Sequence, residues 1–233
     1  LPHEIKDILN SVDSVMSTWR KDSELSYVNN RPAGEWITVS PDLLLIINMA
    51  LSISEETHGA FDITVDPLIE LWGFSSNEPI NTIPDERSIK DRIKQVGYKN
   101  LIIDLQRGAI KKKIPIRLNL SAIAKGFAVD KIADHLDKKG FDAYLIEVGG
   151  ELRFKGKKPD GLGWRIAIET PTARDRQPER VISVSDNSIA TSGDYRNFYE
   201  LKGRNYSHTI DPVTGRPVKH NLASVTVINK NTA

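Results

Sequence analysis

The chain has 233 residues, 39% of them hydrophobic and 27% charged, a balance that can bury a sizeable core and excludes a disordered composition. Its 32 basic and 31 acidic side chains leave a formal net charge of +1, so no global field draws it to nucleic acid or to an anionic membrane surface; an anionic ligand has to be held by local geometry. There is no cysteine, which excludes disulfides, thiolate metal ligands and a Cys nucleophile together.

Ile5, Ile8, Leu9, Val12 and Val15 recur at helical spacing and predict an amphipathic helix over about 3–15, stopping near Met16. A second helix opens with Ser40 as N-cap and Pro41 at the first helical position. It takes Leu44, Ile47 and Leu51 as its apolar face and ends near Gly59. A third runs from Pro84 through Ile89 and Ile93 to about Val96, with Gly97 as its stop. Beyond it LIIDL (101–105), AIKKK (109–113) and IRLNL (116–120) read as an antiparallel meander, followed by a helix from about Ala124 to Lys139.

After Gly140 the segments AYLIEV, ELRFK, WRIAIE, VISVS, FYELK and ASVTVI are short strands broken by Gly, Pro, Asp and Asn, while 157–163 and 171–180 read as exposed loops. Strands outnumber helices and rarely alternate with them. The expected class is therefore α+β, with mixed, largely antiparallel sheets and packed helices, rather than a doubly wound parallel sheet. The chain reads as a single domain over 1–233, or as two tightly joined lobes. No apolar run approaches the roughly 18 residues of a membrane span, and no signal-peptide pattern is present. The absence of cysteine fits an oxidising compartment, and the opening at Leu1 and Pro2 rather than Met fits removal of an N-terminal segment.

Four segments carry chemistry. NLSAIAKGFAVD (119–130) joins a strand to a helix through small residues: free N–H groups at the helix start favour an anion, Ala122, Ala124 and Gly126 admit a ligand close to the backbone, and Lys125 adds a point charge. The bland reading is a turn whose small residues pack helix on sheet, and the phosphate-loop spacing is absent. In HGAFDITVDPLIELWGF (58–74), Asp62 and Asp66 lie near a Gly-rich helix end, and Asp62 can accept hydrogen bonds from ring or ribose donors; Trp72 and Phe74 are the expected core. Trp19, in a polar run after the first helix, is placed to stack on an aromatic ligand.

In the third segment, Glu147 and Glu151 flank a Gly149-Gly150 break between two strands, where either carboxylate can be structural. In the fourth, 190–217, turn signals surround Ser192, Asp194, Arg196, His208 and Asp211; IDPVTGRP is a turn in the first instance. His208 is an acid–base candidate or a hydrogen-bonded core residue. No pair of His or Glu has a zinc spacing.

Taken in order, MSTWRKDSELSYVN, GAFDITVDPLIELWGF, LSAIAKGFAVDKIADHL, YLIEVGGELRFKG, IATSGDYRNFYE and YSHTIDPVTGRPV resemble the ApbE family of FAD:protein FMN transferases, and the resemblance covers nearly the whole chain. It implies an ApbE-like, T-fold-related architecture in an exported, often lipid-anchored bacterial protein on the periplasmic side of the inner membrane. Its members use Mg2+ and FAD and attach FMN through a phosphoester to a threonine or serine of membrane redox-pump subunits, with AMP leaving. Carried over, Trp19 packs on the flavin, Ala60, Phe61 and Asp62 line the FAD pocket, Asn119, Ser121 and Lys125 contact the cofactor, the Ala122 carbonyl is a metal ligand, and Ile210 contacts FAD through its backbone.

The chain also departs from the family pattern. Trp19 replaces a tyrosine, which keeps stacking and loses a hydroxyl. The family's Asp and Thr metal ligands follow the SVTV strand, where this chain reaches Asn231, Thr232 and Ala233, and its first strand precedes Leu1. The expectation is a segment of a longer protein, with His208 or an Asp outside the segment as general base. Two rival readings use the same residues: a Mg2+-dependent FAD pyrophosphatase, with water as nucleophile, and a non-catalytic FAD-binding protein.

Overall fold

The computed structural model describes every residue except 76–81, 171–177, 194–197, 202 and 221. Most of the expected 171–180 loop, together with Asp194 and Arg196, lies outside the described residues. The first half of the chain forms α1 (Pro2–Met16), α2 (Glu24–Asn30), β1 (Trp36–Thr38), α3 (Pro41–Glu56), α4 (Asp66–Leu71), α5 (Glu86–Ile93), β2 (Leu101–Asp104) and β3 (Ala109–Lys112). The second half forms α6 (Ala124–Lys138), β4 (Tyr144–Val148), β5 (Glu151–Lys155), β6 (Trp164–Glu169), β7 (Pro178–Val184), β8 (Ser188–Gly193), β9 (Phe198–Leu201), β10 (Arg204–Ser207), β11 (Ile210–Asp211), β12 (Arg216–Pro217) and β13 (Ser224–Asn229). Every ladder between named strands is antiparallel, so the class is α+β, as the short alternating strands predict. Among the described residues no helix is long and apolar enough to cross a membrane.

The chain divides into two compact units, the first made of Leu1–Asn10, Ile123–Arg196 and Asn221–Ala233, the second of Ser11–Ala122 and Asn197–His220. In the first unit a four-stranded sheet has the order β13-β8-β5-β4, and β6 and β7 form a separate hairpin. Val129, Ile132, Ala133 and Leu136 recur at helical spacing on α6 and meet Tyr144 and Ile146 of β4, with Ile5, Ile8 and Leu9 of α1 packed against the same cluster. β4 and β5 pair Val148 with Glu151 across Gly149 and Gly150. Both glycines have positive φ, +59° and +97°, the signature of a tight two-residue hairpin turn that other residues enter only with strain. Glu4 on α1 accepts from Lys139 at 2.7 Å and meets His135 at 3.3 Å, tying α1 to the end of α6.

In the second unit β3 lies between β1 and β2. α3 is capped by Ser40, whose hydroxyl accepts from Leu43 N, and buries Leu43, Ile46, Ile47, Ala50 and Ser54. The expected face of Leu44, Ile47 and Leu51 is thus rotated: Leu44 and Leu51 are half-buried, because the central run LLLIINMAL is apolar at all but one position and does not declare its orientation by periodicity. Lys112 of β3 is buried, 1% exposed, and its ammonium donates to the carbonyls of Val28 and Asn29 at 2.8 and 3.1 Å, closing the C-terminal turn of α2. Leu68, Trp72, Ile89, Tyr206 and Ile210 form a further core cluster. Trp72 stacks on Tyr206 with ring centroids 5.7 Å apart and donates its indole N–H to the Gly215 carbonyl at 2.8 Å.

IRLNL is not a strand. Ile116, Leu118 and Leu120 are buried in the alternation that suggested one. The backbone, however, is satisfied by the side chain of Asn29, which donates to Leu118 O and accepts from Leu118 N, and Asn119 N donates to Ile63 O. One isolated parallel bridge joins Arg117 to Val65. α5 begins two residues after Pro84, capped by Asp85, and ends before Val96. Residues 178–180 of the expected loop belong to β7.

Candidate functional site

In the second unit, α3 ends through two left-handed residues, His58 at φ +53° and Gly59 at φ +86°. The buried Gly59 backbone lies close to Tyr98, whose ring carbon would sit 3.4 Å from an added Cβ. The loop that follows presents an exposed Ala60 and a half-buried Phe61. Asp62 does not reach outward as the sequence suggested. Its side chain accepts from Thr64 N at 2.8 Å, Thr64 Oγ1 at 2.7 Å and Tyr98 N at 2.8 Å, and the residue is only 7% exposed. The carboxylate organises the loop from within, its side chain already accepting three hydrogen bonds from the protein.

Asp66 opens α4 and is buried. It accepts from Asn119 Nδ2 at 3.0 Å and pairs with Arg117 at 2.8 Å, while Arg117 also holds Glu70 at 2.7 Å. Burial pushes the Asp66 carboxyl up, against the Asn119 hydrogen bond and the Arg117 charge, which pull it down. Asn119 Oδ1 accepts from Ser121 N at 3.0 Å, so both ends of this amide shape the turn that leaves Ser121 and Ala122 exposed. Trp19 is exposed, as stacking on a ligand requires. Ile210 is buried in β11. His208 is half-buried and meets Phe74 edge-on, centroids 6.4 Å apart. Trp72 and Phe74 are packed against Tyr206 and Tyr199, the core placement expected of them.

In the first unit, α6 starts after Ile123 with no side-chain cap and no acid in its first turn. Its leading N–H groups therefore keep their attraction for an anion. Lys125 follows at once, its ammonium 2.8 Å from Glu151 Oε1 and 3.2 Å from the Gly149 carbonyl. Gly126 admits another stretch of backbone: an added Cβ would lie 2.3 Å from the Thr232 carbonyl oxygen. Asp130, one turn further on, accepts from the amides of Thr232 and Ala233 and pairs with Arg153 at 2.7 Å. Glu147 is exposed.

The expected metal ligand, the Ala122 carbonyl, has no ready carboxylate company. Asp62 and Asp66 are spent as described, and Asp211 accepts from Val213 N and Thr214 Oγ1 within its own turn. Among the described residues no group of three or more His, Asp or Glu side chains could hold a metal. Mg2+ wants octahedral oxygen ligands with one or two carboxylates, and Asp62, Asp66 and Asp211 are already engaged by hydrogen bonds. Sequence reasoning did not find the Arg117 link to Asp66, or Glu151 as the partner of Lys125. Arg117 was signalled only by its outward place in the alternation of IRLNL.

The fold and these segments together define a family. The model of the ApbE family matches residues 1–233, and the chain belongs to it. It is 43% identical over 232 residues to the FAD:protein FMN transferase of Vibrio cholerae, covering 99% of this chain and 69% of that protein. It is 38% identical to the enzyme of the same name from Escherichia coli, covering 98% and 66%. The chain thus spans about two thirds of the length of these relatives. Among solved structures, the flavin transferase ApbE from Vibrio cholerae superposes with a TM-score of 0.89 at 41% identity, covering 99% of this chain and 73% of that one. The ApbE protein of Thermotoga maritima gives 0.91 at 30% identity, covering 99% and 74%.

Proposed function

We propose that this chain moves the FMN half of FAD onto a threonine or serine hydroxyl of an acceptor protein, with AMP leaving. The observation that carries this reading is Lys125, an ammonium fixed at the acid-free start of α6 within the small-residue segment 119–126, in a chain that matches the transferase family from end to end. The acceptor oxygen attacks the FMN-side phosphorus, the bond to the bridging oxygen breaks, AMP takes the electron pair, and the hydroxyl proton passes to a base. Lys125 and the first N–H groups of α6 stabilise the charge that develops on the phosphate oxygens. His208 is the base in this proposal. Trp19 stacks on the flavin, the backbone of Ala60, Phe61 and Asp62 lines it, Asn119 and Ser121 shape the turn beside the diphosphate, and Ile210 offers its backbone.

The acceptors in this reading are flavin-carrying subunits of membrane redox pumps, met on the periplasmic side by an exported protein with a lipid anchor outside this chain. Family resemblance supports that placement. Mg2+ belongs to the proposal because a bound cation neutralises the closely spaced charges of a diphosphate. The described residues offer it the Ala122 carbonyl but no cluster of three or more acidic or His side chains, so titration of this chain with Mg2+ should show no saturable binding below roughly 1 mM. Tight binding would mean that carboxylates within 1–233 rearrange to hold the ion. The function is tested by incubating the chain with FAD and excess Mg2+, with and without an acceptor protein, and assaying covalent flavin, AMP and free FMN. Covalent flavin with equal AMP supports transfer; AMP with free FMN irrespective of acceptor makes the chain a pyrophosphatase, and binding without products makes it a flavin carrier.

A further inference from the structure

Lys125 begins α6 with about half of its side chain in solvent, the Glu151 side chain it pairs with being only 13% exposed. The anion is sheltered and the cation faces outward. An ammonium has three protons to donate; one goes to Glu151 Oε1 at 2.8 Å and one to the Gly149 carbonyl at 3.2 Å, which leaves one for a ligand. The hairpin turn makes room for this arrangement. Gly149 has φ +59°, and a Cβ there would stand 2.9 Å from Lys125 Cδ. A free lysine samples many rotamers, whereas this one is held by a carboxylate and a carbonyl brought by the β4–β5 turn.

We propose that Glu151 is the positioning residue of Lys125: with the Gly149 carbonyl it fixes the ammonium so that its remaining proton meets a phosphate oxygen of the dinucleotide. The inference rests on the reading of Lys125 as a diphosphate contact. Glu151 touches no substrate in this account and acts through Lys125 alone.

The test compares dissociation constants for FAD and for riboflavin, which lacks phosphate, in the wild type, Glu151→Ala, Glu151→Gln, Lys125→Ala and the Glu151→Ala/Lys125→Ala double variant, with folding checked by circular dichroism. Glu151→Ala should weaken FAD by about tenfold, within the range over which neighbouring charged groups couple, and leave riboflavin unchanged. Glu151→Gln, which keeps an acceptor oxygen, should restore most of the affinity. In the Lys125→Ala background the loss of Glu151 should weaken FAD no further. Equal weakening of FAD and riboflavin, or the same tenfold loss without Lys125, overturns the inference and makes the pair a structural strut. If Lys125→Ala itself binds FAD as the wild type does, the diphosphate role of Lys125 falls first and the inference falls with it, a pattern distinct from the other two. Gly149→Ala provides a variant that removes neither charge and crowds the lysine stem; it should weaken FAD selectively in the same way, and failure to do so counts against the geometry proposed.

Discussion

Lys125 combines three local facts: a helix start without a competing acid, a stem passing a glycine, and an ammonium already held on two sides. Replacing it with alanine keeps a good helix former at an exposed position, but strips the fixed cation and leaves Glu151 without its partner. FMN transfer should fall by roughly 100-fold, the scale of losing one charge-stabilising donor, against a stability loss of about 1 kcal/mol from the orphaned carboxylate. Steady-state rates and thermal melts on one preparation check both, and near-wild-type rates would return Lys125 to the solvated surface. The place of Lys125 at the start of α6 was legible in the sequence because its neighbours are small and adjacent. Asp62 and Asp66 were not, because Tyr98 and Asn119, which occupy them, lie 36 and 53 residues away. A carboxylate free to meet a ligand and one tied to distant backbone look alike in one dimension.

At the level of elements, capping residues and helical periodicity announced α1, α3 and α6 within a few residues. The short α2 and α4 escaped because one or two turns hold too few apolar positions to define a face. IRLNL shows the opposite failure: its alternating burial is real, but Asn29 replaces a strand as hydrogen-bond partner. Strand β8 was hidden among turn-forming residues, SIATSG, and is a strand because β5 and β13 flank it. The tie between α1 and α6 is testable by pH. The Glu4 carboxyl is lowered from 4.5 to about 2, first by the Lys139 hydrogen bond and then by His135. Its contribution is present above pH 4.5 and is lost as pH falls towards 2. Glu4→Gln should flatten the dependence of melting temperature on pH across that window at low ionic strength, with little change in high salt because the pair is exposed. An unchanged acid limb would show that the pair contributes nothing measurable.

On the scale of the whole molecule, the proposed function calls for discrimination between ligands that share a flavin and differ in phosphate. If segment 119–126 meets the diphosphate as proposed, the protein should bind FAD at least about tenfold more tightly than FMN, the equivalent of one additional charge-assisted contact. Fluorescence titration of both flavins decides this. Equal affinities would detach the small-residue segment from the pyrophosphate and leave stacking as the whole of recognition.

The buried ammonium of Lys112 has a further use. Desolvation lowers its pKa, yet no reagent can reach it while the side chain stays buried against Val28 and Asn29. Acylation by an amine-reactive ester should mark the exposed Lys99 at once and spare Lys112 until the surrounding backbone opens. Peptide mass spectrometry over a time course would then make Lys112 a built-in clock for opening of the second unit, its labelling rate rising with denaturant. Equal labelling of Lys99 and Lys112 in native buffer would mean that this turn of α2 opens on the time scale of the reagent, without any wider unfolding.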